Sequence, residues 1–290
     1  MSFTDDLKNV FNRSGNGLSR IILINVIVFI IVNLMDALVR FNGNGSTITY
    51  WLAMPGNVPL ALTHPWTLLT YMFLHEGLMH ILFNMLWLYW IGKIFVEYAG
   101  SKRLVGVYLL GGLSGGILFL LVSMLAPFYF YNTFLLGASA GVMAVVVATA
   151  VLLPDYVIQL LFFGPVRLKY LALISFILTS LLDLSQNTGG KIAHIGGALF
   201  GMLFMLQYKS GRDLTKPITN FLEWAQSLLS GKPKFKVSYR KTVSDDDYNR
   251  NQKAKQARID EILDKISKSG YEALTKDEKD FLFKSSKNSN

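Results

Sequence analysis

The sequence predicts an all-α, polytopic membrane protein with six transmembrane helices and a small cytoplasmic helical tail, and three observations carry that prediction. Of its 290 residues 52% are hydrophobic and the mean hydropathy is +0.38, too apolar for an ordinary soluble globule. Six windows are apolar over the length of about 20 residues that a helix needs to cross roughly 30 Å of hydrocarbon. The basic residues before Arg212 fall unequally on the two sets of connections between those windows.

A lead of residues 1–20 precedes the first span, read at 21–39. The second span covers 78–96, the third 104–126 and the fourth 135–153. The fifth, 166–184, and the sixth, 192–208, flank a tight, Gly-bearing turn at 187–190. Six crossings put both termini on one side. Lys8, Arg13, Arg20, Lys93, Lys102, Arg103, Arg167, Lys169 and Lys209 fall there, against Arg40 and Lys191 opposite. Short cytoplasmic loops retain Lys and Arg during insertion, so the expected location is a bacterial inner membrane with both termini cytoplasmic. No small-residue cleavage site follows the first span, which is expected to stay attached.

The connection at 40–77 is long and carries Trp51, Trp66, Pro55, Pro59 and Pro65 among apolar stretches, a mixture suited to the outer interface of the bilayer. The body thus runs over 21–210. A polar linker is read at 211–253 and a helical hairpin at 254–290. In that hairpin Ile259, Ile262, Leu263 and Ile266 recur at helical spacing and Gly270 breaks the helix. Thr275 with Glu278 forms a capping box before Phe281 and Leu282. Such a tail suits contact with a partner, lipid or regulator, and equally a solvated extension.

Absence of cysteine excludes disulfides and thiolate chemistry. Five of the nine net positive charges follow Gly211, where anionic lipid accounts for them without nucleic acid. His75 and His80 imitate a zinc-protease helix, but ligands on one face stand four apart, about 40° round the helix, whereas five apart gives about 140°. No metal and no cofactor is expected.

Polar groups inside spans need a partner or a purpose. His80 and Asn84, four apart, share a face of the second span; two convergent donors suit an oxyanion, and equally an interhelical bond. Ser139 opens the fourth span between Gly137 and Gly141, where backbone N–H groups of Ala138 and Ser139 are free to donate, although a serine between glycines also serves plain packing. His194 lies near the outer end of the sixth span, beside the GxxxG pair Gly197 and Gly201, and a neutral imidazole there can accept a serine proton. His64, before Pro65, suits a local structural role.

His75-Glu76-Gly77-Leu78-Met79-His80-Ile81-Leu82-Phe83-Asn84, Gly137-Ala138-Ser139 and Ala193-His194-Ile195-Gly196-Gly197 with Gly201 together resemble the rhomboid intramembrane serine proteases, over 21–208. The resemblance implies a six-span rhomboid-like bundle and a Ser139–His194 dyad without an acid; Asp183 is not promoted to one. It also implies an oxyanion site of His80, Asn84 and backbone N–H groups, and an outward-facing, water-filled cavity. The expected reaction is peptide hydrolysis through an acyl-enzyme, on single-span membrane-protein substrates within the lipid bilayer. Ala140 stands where many relatives have glycine, and Met143 where some have an aromatic. An inactive relative that binds transmembrane helices is the alternative, and the presence of both dyad residues argues against it. A transporter would call for internal repeats or paired intramembrane charges, and neither is seen.

Overall fold

Long apolar runs without proline satisfy their backbone groups in lipid only as helices, and four such runs form helices long and apolar enough to cross a membrane. They are α1 (Gly17–Phe41), α2 (Leu78–Ala99), α3 (Ser101–Leu125) and α6 (Thr188–Lys209). Two shorter apolar helices pack with them: α4 (Ser139–Leu152) and α5 (Leu168–Phe176), the latter continued by a π-helical turn at Ile177–Leu181. The computed structural model describes residues 16–41, 48–160, 163–181, 187–229 and 245–287. It divides into two units, Met1–Gly231 and Lys232–Asn290.

In the first unit α4 is the hub, with ten of its 14 residues buried against α3, α6 and α2. Tethers at the end of the bundle away from Ser139 set the order of the helices. The Gly17 N–H donates to Ser101 Oγ at 2.7 Å, and the Arg103 guanidinium lies 4.8 Å over the Tyr208 ring. The long connection is built from short helices at Ile48–Leu52, Val58–Thr63 and Thr67–Thr70, then a 3₁₀ turn at Tyr71–Phe73. Asp36 of α1 accepts from the Ile48 N–H at 2.6 Å, and Trp66 Nε1 donates to the Trp51 carbonyl at 2.9 Å, so the connection is folded onto the bundle. His64 sits between the Trp51 and Trp66 rings, the local role expected of it.

Several boundaries differ from the sequence reading. Phe134–Leu135 is a strand, β2, paired antiparallel with β1 (Met54–Pro55), so α4 begins at Ser139 rather than 135. A second antiparallel pair, β3 (Val157–Leu160) with β4 (Gly164–Arg167), takes the start of the fifth window because Gly164 has φ +68° and Pro165 follows it. Residues 182–184 of that window lie outside the described residues, as does Asp183. The expected turn at 187–190 is instead the first turn of α6, capped by the Asn187 side chain accepting from the Gly190 N–H at 2.8 Å. Within the supposed polar linker stands α7 (Lys216–Leu229), tied to α3 by Arg103 Nε to Asp213 at 2.7 Å and Lys102 to Glu223 at 2.6 Å. Residues 230–244 of that linker lie outside the described residues.

The second unit is a helical hairpin, α8 (Asp245–Ser269) and α9 (Lys276–Lys287), that begins nine residues earlier than read. Gly270, at φ +78°, ends α8. Glu278 closes the capping box, accepting from the Thr275 N–H at 2.7 Å and from Lys265 at 2.9 Å. Ile262 and Leu274 are buried, and the Arg258 guanidinium lies 4.8 Å over the Phe281 ring.

Candidate active site

The approach to Ser139 is fixed before the helix starts. Pairing of β2 with β1 holds the chain extended, and the Gly137 N–H donates to the Tyr71 carbonyl at 2.9 Å. Gly137 then takes φ +130°, a conformation closed to residues with a Cβ. Ala138 is fully buried in αR geometry, and α4 opens at Ser139. Among the described residues, the Ala138 and Ser139 N–H groups make no backbone hydrogen bond, as the first turn of a helix requires. The Ser139 hydroxyl therefore sits beside free donors at the positive end of a helix.

His80 reaches the same spot from α2. A Cβ placed on Gly137 would stand 3.1 Å from His80 Nε2 and 3.6 Å from Ser139 Oγ, so imidazole and hydroxyl both close on the bare Cα of Gly137. The sequence reading gave this glycine a packing role; it also provides the turn. Asn84 lies one turn further along α2 and is 8% exposed. Its Nδ2 donates to the His80 carbonyl at 3.0 Å, which orients the amide and leaves a second N–H. The His75 and His80 rings are edge to face with centroids 5.0 Å apart.

His194 arrives on α6, which runs parallel to α4 in contact with its backbone. A methyl group on Gly197 would fall on the Ala140 carbonyl, and one on Gly201 on the Ala144 carbonyl. Gly141 faces α3, where a methyl would stand 2.7 Å from the Tyr108 carbonyl. On α3, a Cβ at Gly115 would stand 2.7 Å from both the Ala140 Cβ and the Ala193 carbonyl. Ala140 follows Ser139 and Ala193 precedes His194, so both helices close on this glycine at the height of Ser139 and His194. His194 Nδ1 lies 3.3 Å from the Thr179 carbonyl in the π-helical turn after α5. A carbonyl only accepts, so in this contact Nδ1 is the donor.

Five contributors escaped the sequence reading. Gly115 was one of many glycines. Thr179 acts through its backbone, which no side chain announces. Tyr71 Oη donates to the Gly112 carbonyl at 2.6 Å, and Tyr108 Oη to the Met72 carbonyl at 2.9 Å, pinning to α3 the segment that leads into His75 and α2. Asn25 of α1 completes that anchor, its Nδ2 donating to Tyr108 Oη at 3.1 Å. A polar residue inside an apolar span was the available signal for Asn25.

The chain is similar to known proteins at two places. A model of the rhomboid domain matches residues 62–210, just over half of the chain, and the model of a family of unknown function, DUF6576, matches 242–288. Rhomboid protease GlpG of Salmonella typhi is 30% identical over 110 residues, 38% of this chain and 37% of that protein; the figures for the same-named proteins of Salmonella paratyphi A and Salmonella newport are the same. The chain thus spans little more than a third of the length of the curated relatives it matches. The rhomboid match takes in α2 to α6, with His80, Asn84, Ser139 and His194, and on that extent of similarity this integral membrane protein belongs to the rhomboid family.

Proposed function

We propose that this protein is an intramembrane serine endopeptidase with Ser139 as nucleophile and His194 as base, and that it cuts single-span membrane proteins near the outer end of their helix. In this reading α1 to α6 all cross the bilayer and both ends of the chain face the cytoplasm. The observation that carries it is the double convergence on glycine: His80 and Ser139 over Gly137, and the flanks of Ser139 and His194 over Gly115. That the relatives are proteases by name supports the reaction class.

In the first half of the reaction Ser139 Oγ attacks the scissile carbonyl while His194 Nε2 takes the hydroxyl proton. The charge that develops on the carbonyl oxygen falls among the Ser139 and Ala138 N–H groups, the His80 ring and the Asn84 amide. One such donor is worth about 3 kcal/mol of barrier. Collapse passes the proton from His194 to the leaving amine and leaves an acyl-enzyme, which water hydrolyses by the same steps in reverse order. A third acidic residue is replaced in part by the Thr179 carbonyl, which holds Nδ1–H and so selects the tautomer that has its base on Nε2. A substrate helix must unwind before its carbonyl can be reached, so Gly, Pro or polar residues near the cut favour cleavage.

The test is labelling of the purified full chain and its Ser139→Ala variant with a fluorophosphonate, together with cleavage of a model single-span substrate, folding being checked for both. Labelling and cleavage by the parent alone are expected. A folded parent that neither labels nor cleaves across several substrates and lipids would overturn the proposal in favour of an inactive relative that binds helices.

A further inference from the structure

Behind the reactive pair, between α4, α5 and the middle of α6, runs a groove of about 490 Å³. Val147 and Val151 line it from α4, Leu173 and Phe176 from α5, and Ala198 and Met202 from α6. All six are apolar, and Leu173 and Met202 are exposed on the outer surface of the bundle, so the groove opens toward hydrocarbon. Its one charged lining residue, Lys169, stands at the start of α5, at the end away from Ser139. Lys209 reaches the same end, its Nζ donating to the Val151 carbonyl at 2.6 Å. Lys169 and Arg167 share a single carboxylate, Asp155, at 2.7 and 3.3 Å. Three cations against one acid leave the mouth of an otherwise apolar groove positive.

A long apolar wall with a cationic mouth at one end has the shape of a phospholipid's chemistry. We infer that the groove seats one acyl chain of a phospholipid with an anionic headgroup, its phosphate held between Lys169 and Lys209. The chain fills the space between α5 and the α4–α6 pair; a net-anionic head offsets the excess charge, which a zwitterionic one does not. The occupant braces the helix that leads to Thr179, and through it the imidazole of His194. The seat itself rests on the membrane character of the bundle alone.

The experiment reconstitutes the full chain in nanodiscs of equal phosphatidylglycerol and phosphatidylcholine, each lipid in turn carrying a photoreactive diazirine on its acyl chain, and maps crosslinks by peptide mass spectrometry. Crosslinks from phosphatidylglycerol are expected on α5 and α6 at Leu173, Ala198 and Met202. They should exceed those from phosphatidylcholine by about fivefold for each lysine engaged. Ala198→Phe, which fills the groove, should abolish them, and Lys169→Gln with Lys209→Gln should bring the two lipids level. Equal labelling by the two lipids in the parent, or crosslinks spread over α1 and α2, would overturn the inference. No substrate enters the measurement, so it stands or falls apart from proteolysis.

Discussion

The two sides of His194 are packed in opposite ways. Toward α4, glycines let backbone meet backbone: Gly197 lies on Ala140 and Gly201 on Ala144, with no room for a methyl group. Toward α5, the same helix borders a groove of about 490 Å³, and the Thr179 carbonyl lies 3.3 Å from the imidazole. The tight seam sets the distance between Ser139 and His194, because glycine contacts in lipid leave little freedom to slide. The open side sets the orientation of the imidazole. Position and orientation of one residue are therefore delegated to different neighbours, and only the first is protected by close packing.

The largest effect should come from the seam's own chemistry. His194→Ala should lower kcat roughly 10⁴-fold or more while the protein remains folded, read by substrate turnover and by loss of fluorophosphonate labelling. Normal labelling of a folded variant would place the base elsewhere. Asn84→Ala removes one oxyanion donor without touching seam or groove; kcat should fall about 10²-fold to 10³-fold with KM little changed. An unchanged kcat would exclude Asn84 from the site.

Neighbouring residues on α6 test the packing contrast directly. Gly197→Val must push aside the α4 backbone and should cost about 1–3 kcal/mol of stability. Ala198→Val enters the groove and should change stability by less than about 0.5 kcal/mol. Thermal unfolding in detergent compares the two, and equal losses would dissolve the distinction between seam and groove.

The smallest effect lies outside both regions, in the hairpin. Glu278, bonded by Lys265 and by the Thr275 N–H, has its pKa lowered from 4.5 to about 2. A depressed carboxyl stabilises above its unfolded pKa, so the α9 cap should hold at neutral pH and weaken as pH falls from about 4.5 toward 2. Hydrogen exchange of the α9 amides in the full chain should rise in that window for the parent. Glu278→Gln should remove the pH dependence, and the cap assignment fails if the two respond alike.

How much could be read beforehand follows from where each signal resides. Ser139 and His194 stood out because a hydroxyl and an imidazole lay in separate glycine-rich spans. His80 and Asn84 were legible because four residues make about one helical turn. The Thr275 to Glu278 cap was legible for the same local reason. The amphipathic helix α7 was read as linker: averaged polarity over 216–229 hides Ile218, Phe221, Leu222, Ala225 and Leu228, which recur at helical spacing. The start of α4 was misplaced because Phe134–Leu135 is apolar enough for a span but finds a strand partner 80 residues earlier.

By itself, then, the sequence determined the apolar runs, the residues able to move a proton and the local caps, because these depend on composition and on spacing within one helix. Tertiary structure alone decided that Gly115, among so many glycines, lies against both the Ser139 helix and the His194 helix, that Gly137 turns the chain under His80, and that the Thr179 carbonyl meets the imidazole. Those are meetings between distant segments, set by which backbones can approach without a side chain between them. No residue's identity records its partner across the bundle.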